Sequence, residues 1–369
     1  MIIKISEYDN KYRIVSLAQK TESRKYFASN LLNYMYVDKD NLVIQPGNNL
    51  FKLSPNERDS FLDCSDFDVF EISVSGHAYR YYNCQSMDNA VLVTNRCNSN
   101  CIMCPTAENV RRKKEEYNAE ELIDIAKHFP SDAVHVTITG GEPFIIKKDI
   151  FTLLKFLKES LPNTDYLLLT NGRAFCSKEY TDLLMETTPE NLTLGIPLHG
   201  STEEIHDRIT QARGSFKQTF VGLKHLSAAG AKIELRIVIS KLNLDNIYEI
   251  AELIASHFKN IFCVKFIGLE MTGNAAKNKD LVWIDYPTAF SKSKDAIDLL
   301  VKSGIDVGIY NFPLCAVDKN YWNICEKSIS DYKVRFSPLC EKCNVKDACG
   351  GVFSGTIRLA NEKIKPIGK

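Results

Sequence analysis

The chain lacks an excess of charge, a long apolar run and a hydrolase constellation, and each absence removes a class of function. Lys plus Arg and Asp plus Glu both number 46, so the formal net charge is zero. That balance gives no argument for electrostatic capture of nucleic acid or of an anionic membrane. No stretch approaches the roughly 20 apolar residues of a membrane span, and Met1-Ile2-Ile3-Lys4 opens no apolar signal region. The expectation is a cytoplasmic protein. No Ser-His-Asp triad and no catalytic carboxylate pair stands out. The run Arg111-Arg112-Lys113-Lys114 is followed at once by Glu115-Glu116, which reads as a solvated helix start rather than a binding patch.

Cysteine, in contrast, is abundant. Twelve cysteines without a secretion signal argue for metal ligation over disulfides. Three lie at 97–104 and five at 315–349, whereas Cys64, Cys84, Cys176 and Cys263 stand alone. Cys64 and Cys84 read as small buried residues, the usual fate of a free cysteine.

The first group, Cys97-Asn98-Ser99-Asn100-Cys101-Ile102-Met103-Cys104, follows the apolar run Ala90-Val91-Leu92-Val93-Thr94. Three thiolates on one tight loop can ligate three irons of a cubane and leave the fourth open. An open iron can chelate a small molecule through an amine and a carboxylate. Structural zinc takes four protein ligands, and no fourth Cys or His lies near this loop. An open-site cluster is therefore favoured over zinc or three free thiols.

The second group runs Pro313-Leu314-Cys315, then Cys325, then Cys340-Glu341-Lys342-Cys343 and on to Cys349-Gly350-Gly351. Cys340, Cys343 and Cys349 form a C-x2-C-x5-C knuckle. Cys315 makes a fourth ligand, enough for a fully ligated [4Fe-4S] cluster or for zinc. Cys325 is a fifth ligand candidate, a substitute for Cys315, or unligated.

At 369 residues the chain is long enough for two or three domains. Residues 1–86 read as a small β-rich unit with a possible docking role. Val69, Phe70, Ile72 and Val74 form an approximate strand, and a break at Ser75-Gly76 before His77–Tyr82 resembles a hairpin. Pro46-Gly47 marks a turn, and Ser54-Pro55 starts a short helix with Ser as cap. Residues 87–310 alternate strand and helix. Strands are expected at 90–94, 134–139, 166–170, 192–196, 233–239, 261–267 and 305–309, with helices such as 149–160 and 246–258 between them. That order implies a parallel sheet, fitting a partial (β/α)6 barrel better than eight full repeats. Residues 311–369 form a Cys-rich region. The special residues gather where strands end: the Cys loop, Gly140-Gly141-Glu142-Pro143, Thr170-Asn171-Gly172 and Pro197-Leu198-His199-Gly200. Parallel α/β folds carry their sites there. His199 and His206 could line the site, although a lone histidine at a strand end is more often simply hydrogen-bonded.

Over roughly residues 88–310, the Cys loop followed about 40 residues later by the Gly-Gly-Glu-Pro turn resembles the radical S-adenosylmethionine (AdoMet, SAM) superfamily. The resemblance implies that Cys97, Cys101 and Cys104 bind a [4Fe-4S] cluster whose open iron chelates the methionine amine and carboxylate of AdoMet. It implies that Gly140, Gly141, Glu142 and Pro143 hold the amine, and that Thr170 and Asn171 contact the ribose. Arg213 resembles an arginine that steadies the methionine carboxylate. Adenine would stack near Phe266-Ile267-Gly268-Leu269. Two positions depart from the family pattern: Met103 stands where an aromatic residue is usual, and Pro197 where relatives often carry serine. The implied chemistry is reductive cleavage of AdoMet to a 5′-deoxyadenosyl radical that abstracts hydrogen from substrate.

The tail is similar to the SPASM or twitch auxiliary-cluster regions of peptide- and protein-modifying members, which implies a second [4Fe-4S] cluster. The N-terminal appendage, the sequence around Asn98–Pro105 and Pro313-Leu314-Cys315 resemble the maturases of the His-Xaa-Ser peptide system. That resemblance implies a peptide or protein substrate, a flavodoxin- or ferredoxin-type electron donor and a second maturase. Two alternatives are a radical AdoMet enzyme acting on a nucleotide or cofactor precursor, like the GTP 3′,8-cyclase, and a non-catalytic iron–sulfur or zinc scaffold.

Overall fold

The computed structural model describes residues 1–369 apart from 10, 12, 114, 115, 259 and 369. Its centre is a sheet of eight strands laid side by side in sequence order. In order they are Ala90–Leu92, His135–Thr139, Asp165–Leu169, Leu192–Pro197, Ile233–Val238, Cys263–Ile267, Val307–Tyr310 and Cys325–Glu326. Every neighbouring pair is parallel. The first and eighth strands do not pair, so the sheet stays open. The parallel α/β expectation holds, and the sheet is longer than six strands. A seventh falls close to the expected position. The eighth, only two residues long, comes from the Cys-rich tail, so the sheet runs past residue 310.

The alternation along each strand sorts the two faces. Ile233, Leu235 and Ile237 are completely buried and share one apolar cluster with Leu223, Leu226, Ile247, Ile250 and Ile254 of the flanking helices Ser215–Ala228 and Ile247–His257. The other face therefore lines the lumen. The helix Lys148–Ser160 buries Ile150, Leu153, Leu154 and Leu157 at the expected spacing.

The N-terminal residues form a seven-stranded, mostly antiparallel sheet. Its strands are, in spatial order, Ile2–Lys4, His77–Tyr82, Val69–Ile72, Arg13–Leu17, Tyr34–Asp38, Asn41–Gln45 and Asn49–Lys52. The expected hairpin pairs Val69–Ile72 with His77–Tyr82, and Pro46-Gly47 sits in the turn between Asn41–Gln45 and Asn49–Lys52. Ser54 caps the helix Pro55–Leu62 with a full capping box, Glu57 returning the bond to the Ser54 N–H at 2.7 Å. One face of this sheet has its own apolar core, including Val15, Leu17, Met35, Phe61 and Phe70. The other face reaches the main body: Tyr82 stacks on Phe129 with centroids 4.8 Å apart, and Ser16 Oγ lies 2.8 Å from His128 Nδ1. Cys64 is buried and Cys84 half-buried, each hydrogen-bonded to a backbone carbonyl.

The basic run does not start a helix. Arg111 ends the short helix Glu108–Arg111, and Arg112 pairs with Glu108 at 2.6 Å. Lys114 and Glu115 lie outside the described residues. No helix among the described residues is long and apolar enough to cross a membrane.

Candidate active site

The Cys loop leaves the C-terminal end of the first strand and is fastened on three sides. Two backbone bonds tie it to the C-terminal end of the helix Glu203–Thr210: Asn100 N–H donates to Thr210 O (2.9 Å) and Ile102 N–H to Ile209 O (2.9 Å). From the other side, Asn274 donates its side chain to Cys101 O (3.1 Å) and its N–H to Cys104 O (2.9 Å), and Asn278 donates to Ile102 O (3.0 Å). Two arginines complete the frame. Arg173 donates to Asn98 O (2.6 Å) and Ser99 Oγ (3.0 Å) while its Nε reaches Gln218 (2.7 Å). Arg111 donates to Ser99 O (3.1 Å) and Asn100 Oδ1 (2.5 Å). A loop held this way pays its ordering entropy on folding rather than on loading a cofactor.

The Gly-Gly-Glu-Pro turn follows the second strand and lies directly against this loop. Gly141 N–H donates to Thr94 O (2.7 Å) and Glu142 N–H to Arg96 O (2.8 Å). A Cβ on Gly140 would stand 2.5 Å from Thr94 O, and one on Gly141 would stand 2.0 Å from Arg96 O. The glycines are there because backbone packs on backbone. Glu142 turns inward and is 2% exposed. Its carboxylate accepts from Thr170 Oγ1 (2.7 Å), Asn171 N–H (2.7 Å) and Phe144 N–H (3.1 Å). Burial pushes its pKa up, against the opposing pull of those three donors and of Arg173. Pro143 opens the buried 3-10 turn Pro143–Ile146.

The residues that the sequence points to thus fall into two groups. Cys97, Cys101, Cys104, Gly140, Gly141, Glu142, Pro143, Thr170 and Asn171 come together at one end of the sheet. Within that group Glu142 and Thr170 face each other; Thr170 Oγ1 also accepts Gly172 N–H at 3.1 Å, so its one proton and one of its lone pairs are used inside the protein. Asn171 donates to Asn98 Oδ1 at 2.6 Å, bridging the third strand to the Cys loop. Arg213, in contrast, is exposed in the turn between the helices Glu203–Thr210 and Ser215–Ala228. That turn is held by Asp207, which accepts from Gly214 N–H, Ser215 Oγ and Phe216 N–H. Burial would raise the Asp207 pKa, but these donors hold it below the usual carboxylate range. Met103 is 4% exposed and packs with Ile209, Leu269 and Met271, so it shares an apolar cluster with one of the residues expected near adenine. His199 and His206 are buried with rings 5.5 Å apart, and His206 Nδ1 accepts the His199 N–H at 3.3 Å. Burial drives their pKa values down to about 3 and about 4, so both are neutral.

Arg111, Arg173 and Asn274 belong to the site without any mark in the sequence. Their acceptors are divided between backbone carbonyls and side-chain oxygens elsewhere in the chain, and neither kind leaves a spacing signature.

The loop fits an iron–sulfur cluster. Burial raises the Cys97 thiol to about 11 and the Cys101 thiol to about 12, so near neutral pH both stay protonated until a metal displaces the proton. The Cys97 sulfur receives the Ser99 N–H at 3.4 Å, the kind of donor that supports a ligating thiolate. Among the described residues, no three His, Cys, Asp or Glu groups converge on a point as a single metal ion would require. A cubane spreads its irons, and its thiols stand around a volume.

The tail provides such an arrangement. Cys315, Cys340, Cys343 and Cys349 line one small pocket together with Phe336 and Ile364. Backbone N–H groups point at its sulfurs: Leu314 and Gly351 at Cys349 (3.3 and 3.4 Å), and Ile367 at Cys343 (3.4 Å). Four thiols with N–H donors around one cavity fit a fully ligated cluster. Cys325 does not line it; its thiol is hydrogen-bonded to Tyr321 O at 3.5 Å.

Residues 91–254 match the radical SAM superfamily, so the chain carries a radical SAM domain, the unit that uses a [4Fe-4S] cluster and AdoMet. Three relatives show how varied the proteins sharing it are. The AdoMet-dependent heme synthase of Methanosarcina barkeri is 26% identical over 44% of this chain and 45% of its own length. The GTP 3′,8-cyclase of Limosilactobacillus fermentum is 24% identical over 69% of this chain and 74% of its own. The sporulation killing factor maturation protein SkfB of Bacillus subtilis is 28% identical over 46% of this chain and 40% of its own. The chain spans about half the length of most of the curated relatives it matches. Among solved structures, Streptococcus suis SuiB bound to the precursor peptide SuiA has the same fold. It aligns with TM-score 0.50 and 15% identity over 62% of this chain and 49% of that one.

Proposed function

We propose that this protein is a radical AdoMet enzyme that abstracts hydrogen from a peptide or protein substrate, in the manner of a peptide maturase. The observation that carries the reading is the pairing of two thiol sites: a three-cysteine loop at the mouth of a parallel sheet and a four-cysteine cavity in the tail. The name of SkfB, a maturation protein, supports the peptide substrate, and the His-Xaa-Ser resemblance makes the finer assignment. A reducing cytoplasm suits a chain whose thiols serve metal.

In this reading Cys97, Cys101 and Cys104 hold the catalytic cluster. Gly140, Gly141, Pro143 and Asn171 stand toward AdoMet, with Glu142 and Thr170 stiffening the turn behind them; Arg213, exposed in its inter-helix turn, is not part of this group. Cluster and AdoMet, when bound, supply the one-electron chemistry that removes a substrate hydrogen atom. The chain's own work is positional. Arg111, Arg173, Asn274 and Asn278 keep the Cys loop in one geometry. The apolar packing of Met103, Leu269 and Met271 keeps bulk water from the loop.

The test is anaerobic reconstitution followed by incubation with AdoMet, a strong reductant and either synthetic peptides or GTP. About eight irons per chain, at four per cubane, with a peptide mass change, is the expected result. Turnover of GTP instead would favour the nucleotide reading, for which the long alignment with the GTP 3′,8-cyclase speaks. Full iron without AdoMet cleavage under any substrate would leave a scaffold. The tail makes its own prediction: Cys340→Ala, Cys343→Ala and Cys349→Ala should each lose about four irons per chain. Cys325→Ala should keep them all. Full iron in the first three would remove the second cluster.

A further inference from the structure

The lumen wall carries a set of charged side chains that the roles above do not use. On the fifth strand Glu234 and Arg236 alternate with the helix-facing Ile233, Leu235 and Ile237, so they point into the lumen. Val238, next on that face, packs against the apolar cluster of Met103 and Cys101. The register sets Arg236 beside Lys265, Lys265 beside Gly308 and Tyr310 beside Glu326. Lys265 Nζ lies 2.6 Å from Glu326 Oε1 and 4.9 Å from the Tyr310 ring centroid.

Room for this set is written into the neighbouring strands. A Cβ on Gly308 would stand 2.7 Å from Lys265 Nζ and 2.5 Å from Glu326 Oε1, and one on Gly195 would meet Arg236 Cδ at 3.3 Å. The Glu234 side chain is only 8% exposed, yet its Oε1 has no hydrogen-bond partner, and neither has the buried Arg236 Nη1. The two atoms are 3.3 Å apart, close enough to neutralise each other but poorly aligned. A half-satisfied charged pair inside a protein is costly unless something completes it. The guanidinium fork matches a carboxylate in two-point geometry, and Lys265 stands next to it. Its partner Glu326 is 46% exposed and so can turn to solvent when a ligand arrives.

We propose that Arg236 and Lys265 form a carboxylate-binding subsite on the lumen wall that takes an acidic side chain or the free C-terminus of a peptide substrate. Glu234 is a positioning residue: it balances the guanidinium when the subsite is empty. The proposal rests on the peptide reading and deepens it. AdoMet also bears a carboxylate, and the test separates the two sources.

Reconstituted protein with AdoMet is titrated with two pools of short synthetic peptides. One has Asp or Glu and free C-termini; the other has Asn or Gln and amidated C-termini. The acidic pool should bind at least about tenfold more tightly, the scale of a charge-assisted hydrogen bond. Arg236→Gln and Lys265→Met should each erase that preference and Arg236→Lys retain part of it, at full iron content and with AdoMet affinity unchanged. Equal binding of the pools, no binding of either, or an intact preference in both loss variants would overturn the subsite. So would loss of AdoMet affinity in Arg236→Gln, which would give the carboxylate to AdoMet. If acidic peptides bind as expected but none is modified, the subsite stands and peptide modification falls.

Discussion

A Gly141→Ala substitution should disable iron loading at the Cys loop. The added Cβ would lie 2.0 Å from Arg96 O, 2.5 Å from Arg96 C and 2.9 Å from Asn95 O. All three are backbone atoms of the segment that leads into Cys97, so no side-chain rotation relieves the clash. Overpacking in tight interiors costs about 1–3 kcal/mol, and a collision with fixed backbone belongs at or above the top of that range. The strain is released by moving residues 94–97, which also breaks the Gly141-to-Thr94 and Glu142-to-Arg96 bonds. We expect a lower denaturation midpoint and a loss of about four irons per chain, with the tail cluster retained. Gly214→Ala is the control. Gly214 has φ of +76°, but an added Cβ would have nothing within 4 Å, so it carries only the left-handed penalty of about 1–2 kcal/mol. If both variants load iron as the parent does, the turn does not hold the Cys loop.

Glu142 should rank beside Gly141. Removing its carboxylate strands the Asn171 and Phe144 N–H groups and the Thr170 hydroxyl in a buried site. An unsatisfied buried donor costs about 1–3 kcal/mol, so Glu142→Ala is expected to lose roughly 3–5 kcal/mol, the scale seen when one partner of a buried charged network is deleted. Glu142→Gln keeps one acceptor but turns an amide N–H toward a backbone donor, and should lose less. The pH dependence has a definite sign. Burial raises the folded-state pKa of Glu142 above the unfolded one, so the native state binds the proton more tightly. Stability contributed by this group is full below the ordinary carboxylate range and declines as pH rises through the folded pKa. Denaturant unfolding at several pH values should therefore show the parent gaining on Glu142→Gln as pH is lowered from neutral. A gap that is flat or narrows would refute the raised pKa.

The parallel sheet is legible in the sequence because its strands are short apolar runs with special residues at their ends. Cys97–Cys104, Gly140–Pro143 and Thr170-Asn171 can be placed at one mouth from that order alone. The eighth strand is not legible: Cys325–Glu326 is two residues long and pairs only through Ile309 and Tyr310, too short for any periodicity. Most of the N-terminal sheet also escapes sequence reading beyond its final hairpin, because Tyr34–Asp38 and Asn49–Lys52 mix exposed and buried positions without clean alternation. Glu142 and Thr170 show a different limit. Their places at strand ends follow from the sequence, but only the fold shows that they face each other. Arg173 and Asn274 act on carbonyls of residues at least 70 positions away, which no local pattern encodes.

The short eighth strand has a consequence for how the molecule behaves in a crowded cell. A parallel sheet that stopped at Val307–Tyr310 would present a bare row of main-chain donors and acceptors, a template on which other chains can stack. By pairing Cys325 with Ile309 and Glu326 with Tyr310, the tail covers the C-terminal half of that row. The cysteine-rich segment thus shields part of that edge, in addition to the metal-binding role proposed for it. Trimming the chain back to its catalytic barrel would leave a sticky rim.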